Sequence, residues 1–264
     1  MVNRIIALAG TGLAVFILFS ATAFAGNSQA SFSISPAPIA TPVFDVKETD
    51  MKIGLTYLNI KSTDPGVDFK LDGYGLNATG RSSFGNMLAI DYAIGVMYLT
   101  GDIQTALTGT SSFKADISGP TIPISFNLEV QPYKNDVFNA IIFVGPAFSL
   151  SEMTVKTSGV MSSTAYIYSY MYGVQGGLQL GLKMGDFHLD AFGMTSSMQG
   201  SQTVSTDYGD TDSTIPAYTT TSFGADLMYI PWGLTLSSLL QEAKQSDNNG
   251  FKTTMYQLSW SHKF

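Results

Sequence analysis

The feature that most constrains the fold is a long stretch in which side-chain character alternates with a period of two. In "YIYSYMYGVQGGLQLGLK", residues 166–183, tyrosine, valine and leucine occupy most even positions, whereas serine, glycine, glutamine and lysine occupy most odd positions. An α-helix would scatter these two sets around its axis, because its period is 3.6 residues. Successive side chains of a β-strand point to opposite faces, so the stretch is predicted to be a strand with one apolar face.

Similar alternation recurs along the chain. "IPISFNLEVQ", residues 122–131, and "YQLSWSHKF", residues 256–264, each place bulky residues on one face and mostly polar residues on the other. The pattern predicts about ten strands, at residues 51–60, 69–80, 87–100, 122–133, 138–150, 165–184, 186–198, 217–230, 232–243 and 251–264. Strands of this length in an even number suit a transmembrane barrel, in which the strands are tilted.

The composition excludes several classes of protein. The 264-residue chain has no cysteine, so it cannot be held together by disulfides, and its formal net charge of −7 argues against a nucleic-acid partner. Charged residues make up only 12% of the chain. Beyond the amino terminus, no apolar run approaches the roughly 20 residues of a membrane-spanning helix. A secreted β-protein and a membrane β-barrel remain.

The amino terminus has the features of a secretory signal peptide. Residues 1–25 contain a basic residue, then an apolar run, then Ala23-Phe24-Ala25 before Gly26. This order predicts export and cleavage. The alternative is an uncleaved membrane anchor, because the apolar run nearly reaches spanning length.

The segment between the predicted cleavage site and the first strand has no sustained period. Residues 26–50 are rich in serine, alanine and proline, which is typical of a flexible periplasmic leader. The alternative is a segment that docks onto a periplasmic partner or into the barrel lumen. The barrel itself is predicted to occupy residues 51–264.

The predicted connections sort into two sets. Four short ones ("RSSFGN", "PYKND", residues 184–186 and residues 230–232) alternate with longer ones at residues 61–68, 101–121, 151–164, 199–216 and 244–250. Outer-membrane barrels have short periplasmic turns and longer external loops. The sequence therefore predicts an antiparallel up-and-down transmembrane β-barrel.

Aromatic residues gather where a membrane barrel places its interfacial girdles. One group lies at the outer end of its strand and the other at the periplasmic ends. The predicted girdle consists of Tyr166, Tyr168, Tyr170, Tyr172, Tyr229, Trp232, Trp260 and Phe264.

The chain resembles small bacterial outer-membrane β-barrels, broadly the OmpA/OmpX-like group. The resemblance is one of strand pattern over residues 51–264, together with a final strand that carries Tyr256, Leu258, Trp260 and Phe264 on one face. It implies that these four residues form the signal read by the barrel-insertion machinery. It further implies the outer membrane of a Gram-negative envelope, with lipid and lipopolysaccharide as partners, and a structural or surface-interaction role without a cofactor. The resemblance supports location and architecture more firmly than activity.

Strand parity predicts a polar network in the periplasmic half of the lumen. Its members are Lys52, Asp91, Glu129, Gln131, Gln179, Lys183, His188, Asp190, Asp226 and Lys263. Unpaired charges in a narrow barrel carry a large desolvation cost, so opposite charges are expected to pair and to plug the passage. The alternative is that they line a hydrated pore, which would make the protein a narrow channel for small solutes. Higher up, the inward positions are predicted to be mostly small or hydroxylated, as at Thr56, Gly95, Ser169 and Gly173.

Catalysis is not expected from this network. His188 and Asp190 share one face, as an acid–base pair requires, but no serine or cysteine completes a recognisable triad with them. Outer-membrane proteases of the omptin type also have about ten strands, with catalytic groups near the external rim, where this sequence has no Asp-x-His. A structural His–Asp pair is the preferred interpretation, and the chain is predicted not to be an enzyme.

An acidic external segment is the remaining cluster. "STDYGDTDST" contains Asp207, Asp210 and Asp212, whose carboxylates could bind a hard cation such as calcium. The spacing does not match an EF-hand, and polar loops carry such residues for solvation. We expect no metal here.

Overall fold

The structure is a computed structural model that describes residues 50–62, 67–85, 87–106, 112–157, 163–244 and 250–263. The predicted signal peptide and almost all of the leader lie outside the described residues, as does Phe264. No helix in the described part of the chain is long and apolar enough to cross a membrane.

Ten antiparallel strands form a closed barrel in which each strand pairs with its neighbours in sequence and β1 pairs with β10. This confirms the predicted all-β, up-and-down architecture. The strands are β1 (Asp50–Ser62), β2 (Val67–Ser83), β3 (Leu88–Ala106), β4 (Ser112–Lys134), β5 (Phe138–Thr157), β6 (Thr164–Met184), β7 (Phe187–Thr206), β8 (Gly209–Tyr229), β9 (Leu234–Lys244) and β10 (Gly250–Lys263).

The connections at the end of the barrel where β1 begins are short. Strands β6 and β7 are joined by the turn at Gly185-Asp186, where Gly185 has a positive φ of 61° that a glycine adopts without steric cost. A short 3-10 helix, Ile230–Trp232, joins β8 to β9 and ends at Gly233, also at positive φ. These tight connections fix the register of each pair at this end.

The six middle strands are longer than the sequence pattern indicated. Strands β3 to β8 have 19–23 residues, whereas a transmembrane strand needs only about 9–11. The stretches 101–121, 151–164 and 199–216, predicted as external loops, are mostly strand. In particular, β7 and β8 continue to a tight turn at Asp207-Tyr208. The prediction was wrong there because the apolar face changes sides partway along each strand.

Strand β4 shows this change of face. In its lower part the exposed side chains are apolar, for example Phe126 and Leu128, while Asn127 and Glu129 are buried inside the barrel. In its upper part the apolar side chain of Ile117 is buried, and its neighbour Asp116 is exposed. The pleat does not change, so the wall has an apolar exterior below and a polar exterior above.

The change of face marks the outer surface of the membrane. An apolar exterior suits hydrocarbon, and a polar exterior with an apolar interior suits water. The outward side chains at the boundary are mostly aromatic, as expected at an interface: Tyr57, Tyr74, Tyr98, Phe148, Tyr172 and Tyr256. The upper parts of the strands therefore stand above the bilayer.

This boundary predicts a depth-dependent cost for an outward charge. Val144→Arg, in the middle of the apolar part of β5, should reduce the free energy of unfolding by roughly 2–4 kcal/mol, because the guanidinium would lie in hydrocarbon. Thr154→Arg has the same outward parity on the same strand but lies above the boundary, where the cost should be about 0–1 kcal/mol. Urea titrations of both variants in lipid vesicles measure the difference. Equal costs would contradict the assigned membrane boundary.

Candidate functional site

The lumen of the barrel contains the candidate site, and strand parity sets which side chains reach it. Eight of the ten residues predicted for the lumen network are buried in the lower half: Lys52, Asp91, Glu129, Gln131, Gln179, His188, Asp190 and Asp226. Lys183 is exposed, because β6 ends one residue later and its side chain lies at the rim. The side chain of Lys263 lies outside the described part of the structure.

The first group of lumen residues is centred on an arginine that the sequence pattern assigned to a turn. Arg81 is 1% exposed and forms an ion pair with Glu129, reaching over β3. Asp91 lies directly opposite Arg81 in the β2–β3 register, and its Oδ1 accepts a hydrogen bond of 2.7 Å from Asn127 Nδ2. Gln175 Nε2 donates to Asn127 Oδ1 at 3.0 Å, which extends the group to β6.

Arg81 was missed because the predicted second strand ended at residue 80. The observed β2 continues to Ser83. Counting inward positions onward from Leu71, Gly73 and Asn77 would have reached Arg81 on the same face. The serine and glycine residues that follow it resemble a turn, and this resemblance ended the predicted strand too early.

The second group lies on strands β6 to β8. His188 Nε2 lies 2.9 Å from Asp190 Oδ1, and Gln179 Nε2 donates to the same oxygen at 3.0 Å. Asp226 is directly opposite Asp190 in the β7–β8 register. It accepts a hydrogen bond from Ser237 and is attracted electrostatically to the Lys52 ammonium.

A glycine makes room for the second group. A Cβ atom on Gly181 would contact Asn139 Oδ1 and would lie 2.7 Å from Asp190 Oδ1 and 2.8 Å from His188 Nε2. These distances are too short for a carbon atom, so only glycine fits at this position. The wall is therefore shaped around the His188–Asp190 pair.

Together these groups form what we call the lower polar layer, defined as Lys52, Arg81, Asp91, Asn127, Glu129, Gln175, Gln179, His188, Asp190 and Asp226. It contains four carboxylates, two permanent cations and one histidine. Arg81 Nη2 and Asp91 Oδ2 have no protein partner among the described residues. Buried polar atoms are nearly always hydrogen-bonded, so water is expected to reach this layer.

The lumen above the lower polar layer is lined mainly by buried apolar side chains, and every strand contributes at least one. We call this the upper apolar cluster, defined as Leu58, Ile60, Phe69, Leu71, Met97, Leu99, Ile117, Met153, Val155, Met171, Met198, Ile215, Tyr218, Leu239, Phe251 and Met255. Tyr218 on β8 contacts residues two strands away on either side, because its hydroxyl lies 3.7 Å from Met171 Sδ on β6 and its ring centroid lies 6.4 Å from that of Phe251 on β10.

The sequence pattern did not predict this cluster. Thr56 and Gly95 are buried and Ser169 and Gly173 are half-buried on the inner side, as parity indicated, but the upper lumen is not mainly small or hydroxylated. Of the leucine and methionine residues in the cluster, only Met153 lies in a stretch predicted as a loop. The others lie within predicted strands at inward positions, where the prediction named only small and hydroxylated residues.

The residues predicted for the girdle lie on the outer wall. Tyr166, Tyr168, Tyr170 and Tyr172 are all exposed, and at the periplasmic end Trp232 packs edge-on against Tyr229 with centroids 5.3 Å apart. Three of the four residues of the implied insertion signal are also exposed on the outer wall, namely Tyr256, Leu258 and Trp260. The fourth, Phe264, is outside the described residues.

The acidic segment is part of the β7–β8 hairpin. Asp207 lies in its turn, and Asp210 and Asp212 are on β8, where Asp212 Oδ1 accepts a hydrogen bond of 2.6 Å from Thr203 Oγ1. Within the described residues, no group of three or more histidine or acidic side chains is arranged to hold a metal ion.

Comparison with solved structures shows that the fold of this chain is shared with known outer-membrane barrels. The outer membrane protease OmpT from Escherichia coli matches with a TM-score of 0.63 at 10% identity, over 90% of this chain and all of that chain. The translocator domain of the autotransporter NalP from Neisseria meningitidis matches with a TM-score of 0.50 at 10% identity, over 81% of this chain and 88% of that chain. No family model matches the sequence, and no curated protein does.

The fold and the exterior together define the class of protein. A closed ten-stranded antiparallel barrel with an apolar belt between aromatic residues is a small outer-membrane β-barrel. The chain is thus a multi-pass protein of the outer membrane, as the strand pattern predicted. Identity of 10% carries no information about activity.

The lower polar layer predicts a strong coupling between Arg81 and Glu129. Arg81→Met leaves a carboxylate buried without its cation and should cost about 3–5 kcal/mol of unfolding free energy. Adding Glu129→Gln should restore much of this loss, because the double variant no longer contains the unpaired charge. Urea unfolding of the two single variants and the double variant gives the coupling energy directly. A double variant as unstable as the sum of the single ones would show that the pair is not coupled.

Proposed function

We propose that the protein is a non-conducting outer-membrane barrel whose role is structural or in surface interaction, with a lumen closed at two levels. The observation that carries this proposal is that all ten strands contribute to the upper apolar cluster. An apolar constriction excludes ions even where its atoms do not touch, because water leaves a narrow apolar space.

The lower polar layer supports the same proposal. Its hydrogen bonds and ion pair join side chains from β2, β3, β4, β6 and β7 across the lower lumen. An ion passing this level would have to separate Arg81 from Glu129, which leaves two charges with reduced compensation. The two levels oppose ions in different ways. The upper apolar cluster opposes them because an ion would lose its hydration there, and the lower polar layer because its charges are already paired.

Planar-bilayer recording tests the closed lumen. The unmodified protein should show no steady conductance. A variant carrying Leu58→Ala, Met97→Ala and Met255→Ala in an Arg81→Ala, Glu129→Ala background should conduct, because it removes side-chain volume from the upper apolar cluster and the ion pair from the lower polar layer. A matched control with Leu55→Ala, Ile94→Ala and Leu258→Ala in the same background removes a similar volume from the lipid-facing wall and should stay silent, because the upper apolar cluster is intact. Steady conductance of the unmodified protein would defeat the proposal.

A narrow channel is the second candidate, and the unpartnered polar atoms of Arg81 and Asp91 favour it. Four carboxylates face two permanent cations in the lower polar layer, so such a channel should select cations. Its reversal potential in a potassium chloride gradient would then have the sign expected for potassium. This second candidate requires conductance of the unmodified protein, which the first excludes.

We also infer that the barrel is not an enzyme. The support is the position of His188, which is fully buried and hydrogen-bonded within the lower polar layer. The other histidine of the chain, His262, lies near the periplasmic end of β10, where it pairs with Met51 at the start of β1. Neither histidine therefore lies on the parts of the strands above the membrane.

The fold shared with a protease makes peptide hydrolysis the appropriate assay. Purified protein should cleave a peptide library no faster than a His188→Gln variant does, because neither should exceed the uncatalysed rate. Folding of the variant is checked by its mobility on unheated gels. Cleavage that the substitution abolishes in a folded barrel would identify an enzyme.

A further inference from the structure

The four outward tyrosines of β6 do not lie at one height. A strand crosses the hydrocarbon in about 9–11 residues, and counting ten residues upward from Leu182 reaches Tyr172. Tyr168 is four residues farther along the same strand, which corresponds to roughly 10 Å of additional height on a tilted strand. Tyr172 can serve as an interfacial anchor, but Tyr168 lies beyond the interface and needs a different explanation.

Tyr168 and Tyr170 line a groove on the outer wall of the barrel. In the strand register Tyr168 lies between Glu152 on β5 and Thr203 on β7, and Tyr170 lies between Leu150 and Ser201. On the β7 side the large rings stand beside the small side chains of Ser201 and Thr203, and the groove has a volume of about 430 Å³. The groove runs across β4, β5, β6 and β7.

The polar side chains that line the groove carry carboxylate, hydroxyl and amide groups. The carboxylate of Glu152 has no hydrogen-bond partner among the described residues, and it is exposed. Next to Thr203, Asp212 is held by the Thr203 hydroxyl through Oδ1, which leaves its second oxygen open. Among the residues that the structure describes, no lysine, arginine or histidine lines the groove.

This chemistry favours an uncharged, hydroxyl-rich ligand over an anion. Carboxylates accept strong hydrogen bonds from hydroxyl groups but repel phosphate. The faces of tyrosine rings carry partial negative charge and attract the C–H groups on the apolar face of a sugar ring. A saccharide offers both kinds of group at once.

We propose that the groove binds the sugar headgroup of a glycolipid in the outer leaflet. The position supports this occupant, because Ile122 and Leu150 at the lower edge of the groove continue into the lipid-facing belt. A lipid whose acyl chains lie against that belt places its sugars at the height of Tyr168. The inference rests on the surface-interaction part of the proposed function and names its partner.

Isothermal titration calorimetry with a soluble oligosaccharide tests the proposal, because a ligand without acyl chains reports only the binding of its sugars. The protein is refolded in a phosphocholine detergent, which has no sugar headgroup to compete. It is titrated with the core oligosaccharide released from lipopolysaccharide, before and after removal of its phosphates. Saturable binding that survives dephosphorylation is expected. Titration with inorganic phosphate at the same concentration should give no saturable heat.

Variants separate the groove from general membrane contacts. Tyr168→Ala and Glu152→Gln should each weaken binding of the oligosaccharide about tenfold, which is about 1.4 kcal/mol. Tyr74→Ala removes an outward tyrosine at the membrane boundary on β2, away from the groove, and should leave the Kd unchanged within about twofold. All three variants should remain folded, because the substituted side chains are on the outer wall.

Three outcomes would overturn the inference: no saturable heat at millimolar oligosaccharide, binding that is lost with the phosphates, or equal weakening by Tyr74→Ala and Tyr168→Ala. None of them bears on the closed lumen, which the conductance measurement tests separately. A conducting barrel that still binds the oligosaccharide would overturn the sealed lumen and leave the groove in place.

Discussion

The structure depends on one constraint, which is that a closed β-barrel has a fixed inside and outside along the whole length of every strand. Hydrogen bonding around the closed ladder holds the pleat, so a side chain of given parity keeps its side along a regular strand. A β-bulge shifts the parity by one residue, as on β8, where Tyr218 is buried below the bulge and Ile215 above it. The medium outside the wall changes from hydrocarbon to water at the level of Tyr172. The outer face must therefore be apolar below that level and polar above it, and the inner face has the opposite polarity in each part.

This exchange explains how much of the fold could be predicted. Within the membrane the apolar face is continuous, and alternation located all ten strands there. Above the membrane the apolar set moves to the other parity, as at Ile117 on β4 and Met153 on β5. A search for one continuous apolar face ends at the crossing point and assigns the remainder to loops. The error was therefore systematic, and it fell on the longest strands.

The candidate site was predicted to the extent that parity determines it. Parity identifies inward residues such as Asp91 and Asp190, but it does not show which of them meet. The bond from Gln175 to Asn127 joins residues 48 positions apart across an intervening strand, and it depends on the register of both pairs. Arg81 was missed because the predicted second strand ended one residue before it. The methionines of the upper apolar cluster were missed because they are not polar, so nothing in the sequence marks them as part of a site in the lumen.

The exchange of polarity also separates two tasks in space. Below the boundary the outer wall must be apolar, so charge can be placed only inside, and the lumen becomes polar by necessity. Above it the outer wall is free to carry carboxylates and hydroxyls, and the inside must become apolar to hold the extended strands together. The proposed closure of the lumen by an apolar interior lies at the same height as the proposed ligand groove on the polar exterior. Both proposals follow from one arrangement, and substitutions on the inner and outer faces of the same strand should affect conductance and ligand binding independently.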